Sequence, residues 1–163
     1  MTVTYENIAT TTLGSVQETV TFSSISGTYT DLVLVCWTKS PTADVGLSMR
    51  FNSDSGSNYS YTQIAGNGSA AASNRESNKT YARFGNNIQT NGTYTKADIQ
   101  NYSNSTTFKT ILSRSGDSRS GGTVAFVNLW RSTSPITSLT VFPEGGGSFG
   151  SGSTFTLYGI KAE

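Results

Sequence analysis

The side chains able to do chemistry are few. The 163 residues contain no histidine. This removes imidazole acid–base catalysis, the Ser-His-Asp arrangement and the commonest zinc ligand together. Cys36 is the only cysteine, so no disulfide, thiolate zinc site or Cys–His nucleophile can be built within one chain. It sits in DLVLVCWT, where a thiol reads as a small buried hydrophobe. The acids are Glu6, Glu18, Asp31, Asp44, Asp54, Glu76, Asp98, Asp117, Glu144 and Glu163. A pair of them could serve glycoside hydrolysis. Most, however, fall in turns or at strand ends, where a carboxylate solvates a loop or caps a turn. The sequence predicts no catalytic residue and no enzyme.

The richest set of hard oxygen ligands lies in RFNSDSGSNYSYTQI, Arg50 to Ile64. Asn52, Ser53, Asp54 and Asn58 could offer oxygens to calcium. A dedicated calcium loop needs several spaced acids, and only one is present, so an Asx-type turn is the stronger reading. The glycines of PEGGGSFGSG, Pro143 to Gly152, are followed by no Lys-Ser/Thr and no helix start, so they form no phosphate cradle. No metal and no cofactor is predicted. The aromatics Trp37, Tyr59, Tyr61, Tyr81, Phe84, Tyr94, Tyr102 and Trp130 could form a sugar-stacking platform. Alternatively, about half pack the core and the rest meet a partner; their spacing leaves both readings open.

The elements that would position these residues are strands. Ser, Thr, Asn and Gly number 25, 25, 12 and 17, nearly half the chain. Charged residues make up 13% and aromatics 11%. The apolar residues are clustered rather than diluted, which argues against disorder. Thr, Tyr, Phe and Val favour strands, and Gly, Asn and Ser the turns between them. Alternating or apolar runs recur at Thr2–Thr12, Val16–Ser23, Asp31–Thr38, Leu47–Phe51, Tyr59–Ile64, Thr80–Phe84, Tyr94–Tyr102, Phe108–Arg114, Thr123–Arg131, Ile136–Phe142 and Ser153–Ile160. Ala65–Lys79 reads as a surface loop and Gly85–Gly92 as a turn. The expectation is an all-β fold: one antiparallel β-sandwich spanning residues 1–163, jelly-roll-like, with about ten short strands.

Asp31–Thr38 is apolar on both faces, so it should be covered on both sides or lie at a subunit contact. The net charge of +1 gives no electrostatic footprint for nucleic acid or an anionic membrane. The N-terminus carries no basic and apolar leader pattern, and no apolar run approaches the roughly 20 residues of a membrane-spanning helix. The interface candidates are Tyr5 in the first strand, Trp37 in the doubly apolar strand, and Trp130 with Arg131 at the end of another.

RFNSDSGSNYSYTQI resembles a segment of small structural proteins of tailed bacteriophages, cyanophages among them. Further similar pieces follow in order: YENIATTTLGSVQETVTFSSISGTYTDLVLV, TILSRSG, LWRSTSPITSLTVFP and GSTFTLYGIKAE. The resemblance spreads over most of the chain, leaving out Ser69–Tyr94 and Ser115–Thr123. It implies a virion protein of β-sandwich type with no catalytic residues. Such modules occur as capsid decoration (cement) proteins and as parts of tail-fibre-like chains. No shaft or coiled coil precedes the first strand, which favours the decoration role: binding to the major capsid protein at the capsid surface and stabilising the shell. A homotrimer would suit the three-fold positions of that shell. The alternative is a tail-located module that recognises host-surface glycans.

Overall fold

The computed structural model describes residues 4–42, 44–118 and 121–161. Among the described residues twelve strands follow one another: β1 (Thr4–Thr12), β2 (Val20–Phe22), β3 (Asp31–Thr38), β4 (Val45–Phe51), β5 (Tyr59–Gly66), β6 (Ala71–Lys79), β7 (Ala82–Ile88), β8 (Thr93–Gln100), β9 (Lys109–Asp117), β10 (Thr123–Trp130), β11 (Leu139–Pro143) and β12 (Thr154–Lys161). A 3-10 turn, Glu144–Gly146, follows β11.

The strands form two antiparallel sheets packed as a jelly-roll-like sandwich. The larger has eight strands in the order β1-β12-β3-β8-β9-β10-β5-β6, and the smaller has four in the order β2-β11-β4-β7. The chain repeatedly steps from one sheet to the other, as from β1 to β2, β4 to β5 and β11 to β12. Each crossing turns an alternating sequence into one buried and one outward row.

The core follows from that alternation. β3 sends Leu32, Leu34 and Cys36 inward, and β4 answers with Leu47, Met49 and Phe51, all fully buried. Ile99, Ile111, Leu139, Val141, Phe155 and Leu157 extend the same cluster. Burying each such side chain contributes about 1.5–3 kcal/mol. Tyr61, Val124 and Phe126 form a smaller cluster on the inner face of β5 and β10. Burial pushes the Cys36 thiol pKa far up, so this cysteine stays a neutral hydrophobe.

Twelve strands stand where the sequence predicts about ten, and three local differences have physical causes. β6, AASNRESNK, is a strand where the sequence predicts a loop. It is an edge strand exposed almost throughout, so neither of its faces needs apolar residues. β7 runs through Gly85–Ile88, where a turn was expected. Gly85 is there because a Cβ would press on Leu47 and Thr95, not because the chain turns. β2 shrinks to three residues, and Val16, expected on its inner face, is 54% exposed.

Gly159 on β12 gives a test of the packing. It is buried, and a Cβ at this position would overlap the Tyr29 ring. Alanine has the better strand propensity of the two, yet Gly159→Ala should lower the unfolding free energy by about 1–3 kcal/mol in urea titration, because overpacking outweighs propensity.

Candidate interaction surfaces

The loop from β4 to β5 is a hydrogen-bonded lock. Asp54 Oδ1 accepts from the Gly56 amide at 2.8 Å, the Asx turn expected from the sequence. Its Oδ2 accepts from Asn58 Nδ2 at 2.9 Å and from Trp130 Nε1 at 2.7 Å. The Tyr59 hydroxyl donates to the Asp54 carbonyl at 3.2 Å and accepts from the Phe51 amide at 3.1 Å. Asn52 Oδ1 receives the amides of Thr137 and Ser138 at 2.9 and 3.1 Å. The carboxylate is thus occupied by N–H donors, an arrangement opposite to that of a cation ligand. Among the described residues there is no group of three or more His, Cys, Asp and Glu side chains that could hold a metal.

Trp130 and Arg131 belong to this lock. Trp130 is 2% exposed and lies between Phe51 and Tyr59, with ring centroids at 5.4 and 6.3 Å. Its surface is spent inside the sandwich, which takes it out of the set of interface candidates. The cause is the alternation of β10, which turns position 130 inward with Val124 and Phe126. Arg131 is half-buried; its amide donates to the Asn58 carbonyl at 2.8 Å, and its Nη2 donates to the Ser57 carbonyl at 2.9 Å and to Asn78 Oδ1 at 3.3 Å.

Tyr5 and Trp37 lie on the outer face of the eight-stranded sheet, 57% and 40% exposed. Tyr5 meets Tyr158 edge to face at 6.2 Å. The Trp37 ring lies on Gly92, whose φ of +111 no side-chain-bearing residue adopts easily. The strand register maps the rest of this face. One row runs Trp37–Tyr94–Gly116–Thr123, the next Val35–Lys96–Arg114–Ala125–Ile64, and the next Tyr158–Val33–Asp98–Leu112–Val127–Thr62. Ile64 at 65%, Val127 at 49%, Tyr94 at 43% and Leu112 at 40% are exposed here. Leu112, Val127, Ala125 and Ile64 are therefore neighbours on β9, β10 and β5. Around them stand Lys96, ion-paired to Asp98 at 2.9 Å, and Arg114.

Of the eight predicted aromatics, Tyr59, Tyr61, Phe84, Tyr102 and Trp130 are buried. They make no continuous platform. Sequence reasoning did not single out Leu112, Val127 and Ile64 as surface residues. The available signal was in β10, which, like β3, is apolar on both faces: Val124 and Phe126 inward, Ala125, Val127 and Leu129 outward.

A polar hollow of about 450 Å³ opens beside the β5–β6 turn, where Asp44, Asn67, Asn86, Gln89 and Asp117 converge. Asn86 Nδ2 donates to Asp117 Oδ2 at 3.2 Å, and Asp44, Gln89 and Asp117 are all engaged in interactions of their own. Asn67 Oδ1 accepts from the Ser69 and Ala70 amides, so the polar groups of this hollow are already engaged.

No family model and no curated protein matches the chain. Among solved structures, it is similar to a galectin of Caenorhabditis elegans at 10% identity and a TM-score of 0.40, over 94% of this chain and 96% of that one. A protein of unknown function from Shewanella oneidensis is similar at 7% identity and a TM-score of 0.21, over 99% of this chain and 81% of that one.

The lock makes acid stability depend on Asp54. Burial raises its pKa, but the hydrogen bonds from Trp130, Asn58 and Gly56 together hold it below the ordinary aspartate value. A lowered folded-state pKa means stability that is present above the unfolded value and lost as pH falls through the folded one. Unfolding midpoints measured from neutral to strongly acid pH should show this loss, and Asp54→Asn should shrink it. At neutral pH, Asp54→Ala should cost about 2–3 kcal/mol, because it strands the Trp130 and Asn58 donors.

Proposed function

We propose that this protein is a virion structural protein of a tailed bacteriophage, a decoration (cement) protein that docks on the outer capsid shell. The observation that carries the reading is the outer face of the eight-stranded sheet. Six large apolar side chains are exposed on it: Tyr5, Trp37, Ile64, Tyr94, Leu112 and Val127. Their centre on β9, β10 and β5 is apolar, and Lys96, Asp98, Arg114 and Arg75 border it. An apolar centre within a polar rim is the anatomy of a protein–protein contact.

The scaffold suits that task. A sheet held by antiparallel neighbours on both sides is a rigid plate, so docking orders little. Binding that favours the assembled shell stabilises it by mass action. The sequence resemblance to phage structural proteins points the same way, and a homotrimer fits three-fold sites on an icosahedral shell. The partner is then the major capsid protein, with Tyr5 and Trp37 on the docking face and Trp130 and Arg131 inside the fold that supports it.

Two measurements test this. In density maps of intact particles the protein should lie on the shell; density confined to the tail tip would overturn the decoration role and favour a receptor-binding module. Val127→Glu and Leu112→Lys should abolish binding to purified shells while changing unfolding free energy by no more than about 0.5–1 kcal/mol, since both positions are exposed. Shell binding that survives both substitutions would remove this face as the contact. Light scattering should show a trimer, in solution or on addition of shells.

A further inference from the structure

The structure assigns a second binding site on the opposite side of the sandwich, and the geometry points to a neutral saccharide as its ligand. The outer face of the four-stranded sheet carries a cleft of about 340 Å³ between the Pro143–Gly147 turn and the Glu18–Thr19 segment. That volume lies at the lower end of the range for small-ligand sites. Its floor comes from outward positions on neighbouring strands: Arg50 opposite Thr140, and Ser48 opposite Phe142.

Three features make this floor a site rather than a gap. The first is aromatic surface. Phe142 and Tyr81 are half-buried and meet at right angles with centroids 6.0 Å apart; Arg50 covers one face of Phe142, and the aromatic surface left at this corner is where a sugar ring's C–H face can pack. The second is hydrogen-bonding capacity that is fixed but unspent. The Arg50 guanidinium lies 4.6 Å over the Phe142 ring and gives only its Nε, to the Thr80 carbonyl at 2.9 Å. Its two terminal nitrogens have no hydrogen-bond acceptor among the described residues. Glu144 Oε1 accepts from the Ser48 hydroxyl at 2.6 Å, with Arg83 Nε at 3.6 Å, and Oε2 has no donor among the described residues. The remaining Glu144 oxygen and the two terminal nitrogens of Arg50 present one acceptor and a pair of donors to the hydroxyls of a sugar.

The third feature is charge balance. Glu18, Glu144 and Arg50 line the cleft, and Arg83 stands behind Glu144 at 3.6 Å, so with it the four charges cancel and nothing here favours a phosphate, a sulfate or a polyamine. Burial, with Glu144 nearby, raises the Tyr81 phenol above its ordinary value and keeps it a donor. Gly46 helps position the carboxylate: any Cβ there would collide with Glu144, so the acid lies flat across β4. The ligand class that uses an aromatic corner, paired donors and acceptors, and neutrality together is an uncharged sugar. This site does not depend on the docking face, from which it points away.

The test is a titration of the isotope-labelled full chain, followed by NMR, with glucose, galactose, mannose and N-acetylglucosamine and with disaccharides of each. At least one should shift the amide signals of Tyr81, Thr140, Phe142 and Gly145–Gly147. Glu144→Gln and Arg50→Lys should each weaken that binding by roughly tenfold or more, with the thermal midpoint checked alongside. Galactose 6-sulfate serves as the charged comparison. No shift with any neutral sugar at saturating millimolar concentration overturns the proposal. So do shifts confined to other residues, or binding of the sulfated sugar alone. The wild-type titration decides the matter even where a variant fails to fold.

Discussion

The crossing from the small sheet to the large one at β4–β5 depends on a single carboxylate. Asp54 gathers the Trp130 indole, the Asn58 amide and the Gly56 backbone N–H onto its two oxygens. Trp130 is thereby held between Phe51, which belongs to the small sheet, and Tyr59, which belongs to the large one. The Tyr59 hydroxyl then ties the Phe51 amide to the Asp54 carbonyl. Charge-assisted bonds of this kind are roughly twice as strong as neutral ones. The register of β5 against β10 starts at Tyr59–Trp130. If that pair slipped by one residue, every outward residue of both strands would exchange places with an inward one. Both candidate surfaces therefore rest on a turn that touches neither of them.

Part of this was legible in the sequence. The Asx turn at Asp54 follows from an acid two residues before a glycine in a run without large apolar side chains. The alternation of β8, β10 and β12 marks their inner rows directly. The indole partner of Asp54 was not legible, because it lies 76 residues away and no local pattern encodes a contact of that range. Sequence alone leaves Trp130 open to an interface role for the same reason: an aromatic at a strand end is ambiguous until the register settles its face. β6 escaped because an exposed edge strand has no apolar period to read. β7 was cut short because Gly85 looks like a turn residue when it is a concession to Leu47 and Thr95.

β3 shows how the apolar content of a strand divides between fold and surface. Its inner row of Leu32, Leu34 and Cys36 is completely buried. Val33, on the outer row, is also nearly covered at 3% exposure, with Tyr158 and Asp98 as its cross-strand neighbours, whereas Trp37 on the same row is 40% exposed. A strand apolar on both faces thus does not by itself locate a partner. What locates one is the accumulation of such residues across β9, β10 and β5, which becomes visible only when the register sets Leu112 beside Val127 and Ala125 beside Ile64.

The hydroxyl-rich composition then has a mechanical reading. Thr10 donates to Thr156 at 3.2 Å on the outer face of the large sheet, and Thr12 shares a hydrogen bond with Thr154 at 3.3 Å beside it. Thr21 and Thr140 do the same at 3.0 Å on the small sheet, and Thr95 with Ser115 at 2.8 Å in the interior. Cross-strand hydroxyl pairs stiffen the plates without adding charge. Only 13% of the residues are charged, so the two outer faces differ in shape and in hydrogen-bonding pattern more than in sign. Complementarity between such a plate and a second protein is then set by apolar contact and geometry, and it should be little affected by salt. On the small sheet, the same economy of charge makes the few fixed ions stand out: Arg50 over Phe142, and Glu144 between Ser48 and Arg83, are the places where ionic side chains are held in position with hydrogen-bonding capacity left over.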